Sequence, residues 1–151
     1  MSVTALEAAK YACRASDWTL TNLQLQKILY IAHMIHLGRT GRPLIHDEMF
    51  EAWDYGPVLP SVYRRASSFG ADTVKDVFHS VQDLEPFLDS EEMDTLNEAV
   101  DKLRNVPAFR LVEMVHDERG AWGRVYDPYF RNLIIPDELI ANEYKERFGN
   151  R

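Results

Sequence analysis

Four histidines have the clearest potential for chemistry, because imidazole binds zinc and exchanges protons near neutral pH. His33 and His36 stand three residues apart in a helical pattern, so their side chains share one helix face. His46 and His116 each begin a His-Asp-Glu tripeptide. These four residues define one functional hypothesis, a metal-dependent hydrolase that uses His33, His36, His46 and His116.

Each of these patterns also has a simpler explanation. The other polar residues around His33 and His36 are asparagine, glutamines and a lysine, and none is a carboxylate that would complete a zinc site. Adjacent side chains in a strand point to opposite faces, so His46-Asp47-Glu48 cannot converge on one ion. We therefore expect no metal and no cofactor. The simpler explanation places one of these two histidines on the helix rim and hydrogen-bonds the other against the hairpin.

Nucleophilic catalysis has one candidate thiol, Cys13. It falls on the apolar face of the first predicted helix with no histidine beside it in sequence, as is typical of an inert core cysteine. No Gly-x-Ser-x-Gly elbow or phosphate-binding glycine loop is present. A triad built from distant residues stays open, because such sites are spatial. We expect a binding protein without catalytic residues.

Composition favours a soluble cytoplasmic protein of one domain. The 151 residues carry a net charge of -7. Residues 1–82 hold eight basic and eight acidic residues, whereas residues 83–151 hold nine and sixteen. An acidic surface repels phosphate backbones, so nucleic acid is not an expected partner. A single cysteine excludes an intramolecular disulfide. The chain lacks a signal-peptide pattern and an apolar run of membrane-spanning length, so no membrane is expected.

Two capping boxes mark the first helices. Thr4 with Glu7 begins one, and Thr21 with Gln24 begins the strongest helix of the chain, which is predicted to stop at Leu37-Gly38. The apolar surface of this second helix is wider than one stripe. That width predicts a central helix with neighbours on several sides.

The later sequence alternates between extended and helical patterns. Residues 44–56 resemble short strands, and Pro60 then fits the first turn of a short helix. Further helices are predicted from Asp89, from about Ala108 to Glu118 and from Pro136, with residues 121–132 irregular. The predicted fold is mostly α, a single compact helical domain of five to six helices with a small β-hairpin-like insertion around residues 44–56.

Residues 51–63 combine aromatics, prolines and a glycine, which is typical of a turn that packs a corner or presents a surface. A basic patch would lie nearby if the turn at residues 38–43 approached the helix that carries Arg64 and Arg65. Its members would be Arg39, Arg42, Arg64, Arg65 and Lys75. Such a patch suits an acidic protein surface or a phosphate group. The alternative interpretation, which such a group of residues fits more often, is a solvated face.

Two segments resemble a known family. Leu20-Thr21-Asn22-Leu23-Gln24-Leu25-Gln26-Lys27-Ile28-Leu29-Tyr30 is one, and Phe50-Glu51-Ala52-Trp53-Asp54-Tyr55-Gly56-Pro57-Val58-Leu59-Pro60 with Val62-Tyr63 is the other. Together they resemble the Panacea domain of prokaryotic and phage antitoxins, including the SocA-like group. His116-Asp117-Glu118 with Trp122 is similar to the second signature of that domain. The resemblance covers roughly residues 4–148.

The resemblance implies an antitoxin that binds and neutralises a cognate toxin by direct contact. It also implies, for the SocA-like group, a proteolytic adaptor that delivers the toxin to an ATP-dependent protease of the ClpXP type. The candidate partner-binding residues are Trp53, Tyr55, Pro57, Tyr63, Arg64, Arg65 and Trp122. A third and weaker hypothesis is a DNA-binding protein that represses its own promoter, which the acidic second half disfavours.

Overall fold

The computed structural model describes residues 3–84 and 90–149. This part contains seven α-helices, one 3-10 turn and one two-stranded sheet. The elements are α1 (Ala5–Ala15), α2 (Asn22–Thr40), β1 (Glu51–Trp53), β2 (Gly56–Val58), α3 (Pro60–Ala66), the 3-10 turn (Ser67–Phe69), α4 (Glu91–Leu103), α5 (Ala108–Val115), α6 (Ala121–Val125) and α7 (Asp137–Phe148). The predicted fold class, one mostly helical domain with a small hairpin, is confirmed.

Helix α2 lies at the centre of the domain. It contacts α1, α3, α4, α5, α7 and β2. Its buried surface includes Leu25, Ile28, Leu29, Tyr30 and Ala32, all of which have no exposed side-chain area. Both predicted capping boxes are present, with Thr4 Oγ1 accepting the Glu7 amide and Thr21 Oγ1 accepting the Gln24 amide. No helix in the described ranges is long and apolar enough to cross a membrane.

The end of α2 differs from the prediction. The helix continues through Gly38 to Thr40, and Gly41 is its left-handed C-cap with φ +74°. Gly38 is needed for packing instead, because a β-carbon there would lie 2.0 Å from the ring of Tyr144 on α7. The predicted stop at residue 38 was wrong because close approach and helix termination both select glycine.

The hairpin is short and extended by a third segment. Strand β1 pairs antiparallel with β2, with Glu51 opposite Val58 and Trp53 opposite Gly56. On its other side, the Ala52 amide donates to Leu133 O and the Ile135 amide donates to Phe50 O, both at 2.8 Å. Strand β1 therefore lies between β2 and the segment 133–135. Residues 44–46 run beside Val3 instead of joining the hairpin.

The end of α5 and the presence of α6 differ from the prediction. Helix α5 ends at Val115 and not at Glu118, and the stretch predicted as irregular contains α6. The predicted start at Asp89 lies outside the described residues, and within them Ser90 caps α4 by accepting the Met93 amide.

Gly38→Ala tests the packing role of this glycine. The variant should lose about 1–3 kcal/mol of unfolding free energy by overpacking, although alanine is the better helix former by roughly 1 kcal/mol. Urea denaturation measures the loss. In a Tyr144→Ala background the same substitution should be neutral or stabilising. An equal loss in both backgrounds would contradict the steric explanation.

Candidate functional site

Polar residues on the first half of α2 bind the backbone of residues 57–63. Gln26 accepts the Leu59 amide at 2.8 Å and also approaches Leu59 O at 3.5 Å. Lys27 Nζ donates to Pro57 O at 2.8 Å, and Asn22 Nδ2 donates to Tyr63 O at 3.4 Å. The two segments that carry the family resemblance therefore bind each other directly.

Lys27 is a completely buried lysine. Its side chain has 0% exposed area, and burial lowers its pKa to about 7 from the usual 10.5. Gly56 packs against it with φ +110°, and a β-carbon at position 56 would lie 3.3 Å from Lys27 Nζ. Glycine is thus favoured at position 56 both by the turn conformation and by the room that the lysine takes.

Three aromatic rings in contact hold the tip of the hairpin, and we call His116, Trp122 and Tyr126 the aromatic clamp. The ring centroids of His116 and Trp122 are 3.8 Å apart, and those of Trp122 and Tyr126 are 4.6 Å apart. Each ring makes one hydrogen bond to the turn: His116 Nε2 to Asp54 O, Trp122 Nε1 to Trp53 O, and Tyr126 Oη to Asp54 Oδ1. Because a carbonyl only accepts, His116 carries its proton on Nε2. The bond to Asp54 raises the pKa of Tyr126.

The buried carboxylate of Glu143 on α7 supports the clamp. Glu143 Oε1 accepts the Ala121 amide at the start of α6 and the Tyr30 hydroxyl of α2, at 3.1 and 2.6 Å. Arg147 forms an ion pair with Glu143 at 2.8 Å. Burial, followed by the charge and hydrogen bond of Glu143, raises the pKa of Tyr30 well above its usual value. These contacts fix α6, and hence Trp122, to the central helix.

The predicted partner-binding residues divide into two groups. Pro57 and Trp122 are buried and Trp53 is half-buried, so they form a framework. Tyr55 is 68% exposed and Tyr63 is 40% exposed. The Trp53 and Tyr63 rings meet edge to face at 4.9 Å.

The two arginines of α3 complete the exposed group. The Arg64 side chain makes no hydrogen bond or ion pair to another described residue, whereas Arg65 donates to Val77 O. Both lie on the exposed side of the helix, directly after Tyr63. The structure therefore places Tyr63, Arg64 and Arg65 on one short helix beside the hairpin.

The predicted patch of five basic residues does not form. Arg39 pairs with Glu98 at 2.8 Å and Arg42 with Glu91 at 3.2 Å, both on α4. These arginines stand at the end of α2, whereas α3 contacts its beginning through Asn22. At 1.5 Å per residue, the two ends of this helix are roughly 26 Å apart. Hydrogen bonds from Arg39 and Lys102 lower the pKa of Glu98 to about 2, so Arg39 is committed to this contact.

The four histidines serve separate contacts. His33 Nε2 bonds Asp137 Oδ1 at 2.9 Å while Nδ1 accepts the Ile45 amide, and burial lowers the pKa of His36. His46 contacts Val3 O, and His116 belongs to the clamp. His33 bonds the amide of Ile45, which was predicted as part of the hairpin but runs beside Val3, and neither helix histidine lies on a rim, since both are 1% exposed. Within residues 3–84 and 90–149, no three His, Cys, Asp or Glu residues are placed to hold a metal ion.

Cys13 is a buried thiol. Burial raises its pKa to about 12, so the thiolate needed for nucleophilic attack is disfavoured.

Sequence reasoning missed the residues that hold the site. Asn22, Gln26 and Lys27 are polar residues inside the helix with the widest predicted apolar surface, and this contrast was the available signal. Asp54 and Tyr126 gave no comparable signal, because their contact joins residues 72 positions apart.

Comparison with known proteins shows a similarity to one family. The family described as "Antitoxin SocA-like, Panacea domain" matches residues 25–123. The chain is 31% identical over 141 residues to Antitoxin SocA of Caulobacter vibrioides (strain NA1000 / CB15N). The aligned region covers 89% of this chain and 74% of that protein. No solved structure matches the chain significantly.

Lys27→Met tests the buried lysine through its pH dependence. Between pH 7 and 10.5 the unfolded chain holds a proton on Lys27 that the folded chain lacks, so the free energy of unfolding rises with pH. Below this window both states are protonated, and above it both are neutral. The wild-type protein should gain up to about 1.4 kcal/mol per pH unit relative to Lys27→Met between pH 7 and 9.5.

Urea denaturation across this range makes the measurement. Lys75→Met, which changes an exposed lysine, is the matched control and should leave the wild-type pH dependence unchanged. Parallel stability curves for the wild type and Lys27→Met would show that Lys27 keeps an ordinary pKa.

Proposed function

The chain belongs to the Panacea-domain family of SocA-like antitoxins, and on this basis we propose that it binds a cognate toxin directly and neutralises it. The domain that does so extends over residues 4–148. The observation that carries this proposal is the hairpin tip. There the exposed Tyr55 lies on a turn that the three rings of the aromatic clamp hold in place. The role needs no catalytic group.

A held turn favours tight binding for an entropic reason. Association loses affinity when loops and side chains must be ordered, so a surface already ordered in the free protein avoids that loss. The clamp fixes Asp54 by two hydrogen bonds and Trp53 by one. The backbone that carries Tyr55, the next residue, is therefore held in place.

The exposed residue types match those that dominate protein interfaces. Tyrosine, tryptophan and arginine are enriched at hot spots. We assign Tyr55, Tyr63, Arg64 and Arg65 as contacts, with Trp53, Pro57 and Trp122 as the framework that positions them. The two arginines favour a toxin surface with carboxylates.

Neutralisation follows one of two routes. The toxin is either occluded by the bound antitoxin or delivered to an ATP-dependent protease of the ClpXP type. Delivery is the route that the relationship to the SocA-like group suggests. Both routes place the protein in the cytoplasm beside its toxin. The net charge of -7 supports a protein partner over nucleic acid.

Co-purification with the product of the adjacent reading frame tests the proposal. We expect a stable complex, and we expect the neighbouring product to arrest growth alone but not when both are expressed. Absence of both binding and toxicity would overturn the antitoxin assignment.

Charge reversal on α3 tests the contact surface. Arg64→Glu with Arg65→Glu should leave the urea midpoint near that of the wild type and weaken toxin binding by at least about tenfold. Arg110→Glu with Lys145→Glu, exposed cations on α5 and α7, is the matched control and should bind normally. Titration calorimetry with the purified neighbour makes the comparison. Wild-type affinity in the α3 variant would remove these arginines from the interface.

Toxin turnover separates the two routes. If delivery operates, the toxin half-life after a translation block should shorten when the antitoxin is present, and only in cells that have the protease. Occlusion predicts equal half-lives in both strains together with full protection of growth.

A further inference from the structure

A loop that sequence reasoning left without a role lies beside the hairpin, and we call residues 127–132 the aromatic loop. It is held at both ends to the hairpin. Before it, Tyr126 bonds the Asp54 side chain at the tip. After it, Leu133 and Ile135 bond the backbone on either side of Glu51. The loop has six residues, whereas the points near β1 at which its two ends are held lie only two to three strand positions apart. The loop must therefore project outward.

The loop is internally ordered. The Tyr129 amide donates to Asp127 Oδ1 at 2.9 Å, and the Phe130 amide donates to Asp127 O at 3.1 Å. Asn132 adopts a left-handed conformation with φ +68°, which asparagine tolerates better than most residues. The turn presents Tyr129, 89% exposed, and Phe130, 60% exposed. Exposing two neighbouring aromatic rings to water is unfavourable for the isolated protein, because burying them against a partner would release the water ordered around them.

This loop continues the surface already assigned to the partner. Ile134 is 52% exposed and stands directly opposite Glu51, so it shares the outer face of the sheet with Trp53. Trp53 in turn contacts Tyr63 on α3. We call these residues the apolar belt: Tyr63 contacts Trp53, Ile134 shares its sheet face with Trp53, and the loop that carries Tyr129 and Phe130 leads directly into Leu133 and Ile134.

Two members of the belt, one on α3 and one in the loop, are each followed in the chain by an arginine. Arg64 follows Tyr63, and Arg131 follows Phe130. Both are exposed, and neither side chain forms a hydrogen bond or ion pair with another residue in the described ranges. A partner that covers the belt must supply acceptors to both guanidinium groups, because burying an unpaired charge is strongly unfavourable.

The charges also indicate which partner fits. Among the described residues, the outer face of the sheet has one carboxylate, Glu51, which already accepts a hydrogen bond from Trp53 Nε1. A symmetric contact between two copies would therefore bring two arginines from each copy together with only that carboxylate from each. Like charges at an interface disfavour association. The belt therefore suits a different protein, one with an apolar pocket and carboxylates on its rim.

We propose that the aromatic loop is a second contact for the toxin, in which Tyr129 and Phe130 enter an apolar pocket of the toxin and Arg131 meets a carboxylate at its rim. This inference rests on the proposed antitoxin function and adds residues outside the segment that the family matches. It makes the belt between α3 and the loop one continuous interface.

Tyr129→Ser with Phe130→Ser tests the apolar contact. The probe is the purified product of the adjacent reading frame, and calorimetry measures its affinity. We expect a loss of at least about thirtyfold, as for a pair of aromatic hot spots, with an unchanged urea midpoint because both rings are exposed. The matched control is Phe109→Ser with Met114→Ser, two exposed apolar residues on α5, which should bind like the wild type.

Arg131 tests the charge contact. Arg131→Glu should weaken binding by about tenfold, and Arg131→Lys should recover most of the affinity. Wild-type affinity in the Tyr129/Phe130 variant, with the wild-type protein binding and protecting growth, would overturn the loop contact and leave the antitoxin function standing. A wild-type protein that neither binds nor protects would overturn both. Dissociation of a homodimer by the loop substitutions, with toxin affinity unchanged, would assign the belt to a second copy and overturn the inference.

Discussion

The bonds from α2 to the backbone of residues 57–63 are the constraint on which the rest of the structure depends. Backbone groups that are buried must find a partner, and a two-stranded sheet this short leaves several without one. Gln26 and Lys27 supply those partners from inside the central helix. The amine of Lys27 is buried with a lowered pKa, so it serves here mainly as a hydrogen-bond donor and not as a surface charge. The hairpin and α3 are thereby attached to the best-packed element of the fold.

Because of this attachment, some residues of the site hold the hairpin in place and others are exposed to solvent. Pro57, which bonds Lys27, and Trp122 of the clamp are buried. Asp54, which the clamp holds, and Tyr55 beside it are exposed to solvent. The clamp ties the hairpin tip to α5 and α6, and Glu143 ties α6 to α2. The surface proposed for the toxin is therefore rigid through contacts that come from four separate helices.

Local signals in the sequence predicted some elements well. Both capping boxes were correct because each depends on two residues three positions apart, whose geometry the helix itself sets. The hairpin around Gly56 was found because turn residues and prolines act within a few positions. Gly38 was misread because its reason lies on α7, more than a hundred residues away. The basic patch was wrong for the same reason, since Arg39 and Arg42 find their carboxylates on α4.

The sequence by itself determined the helical class, the central position of α2, the presence of a small hairpin near Gly56 and the family, because periodicity, capping and short motifs are local properties. Tertiary structure alone decided which residues of the motif are buried and which are exposed. It also decided that His116, Trp122 and Tyr126 meet Asp54, and that the aromatic loop stands beside Trp53. Those outcomes depend on contacts between residues 62 or more positions apart. Side-chain patterns specify such contacts only once the whole core has closed.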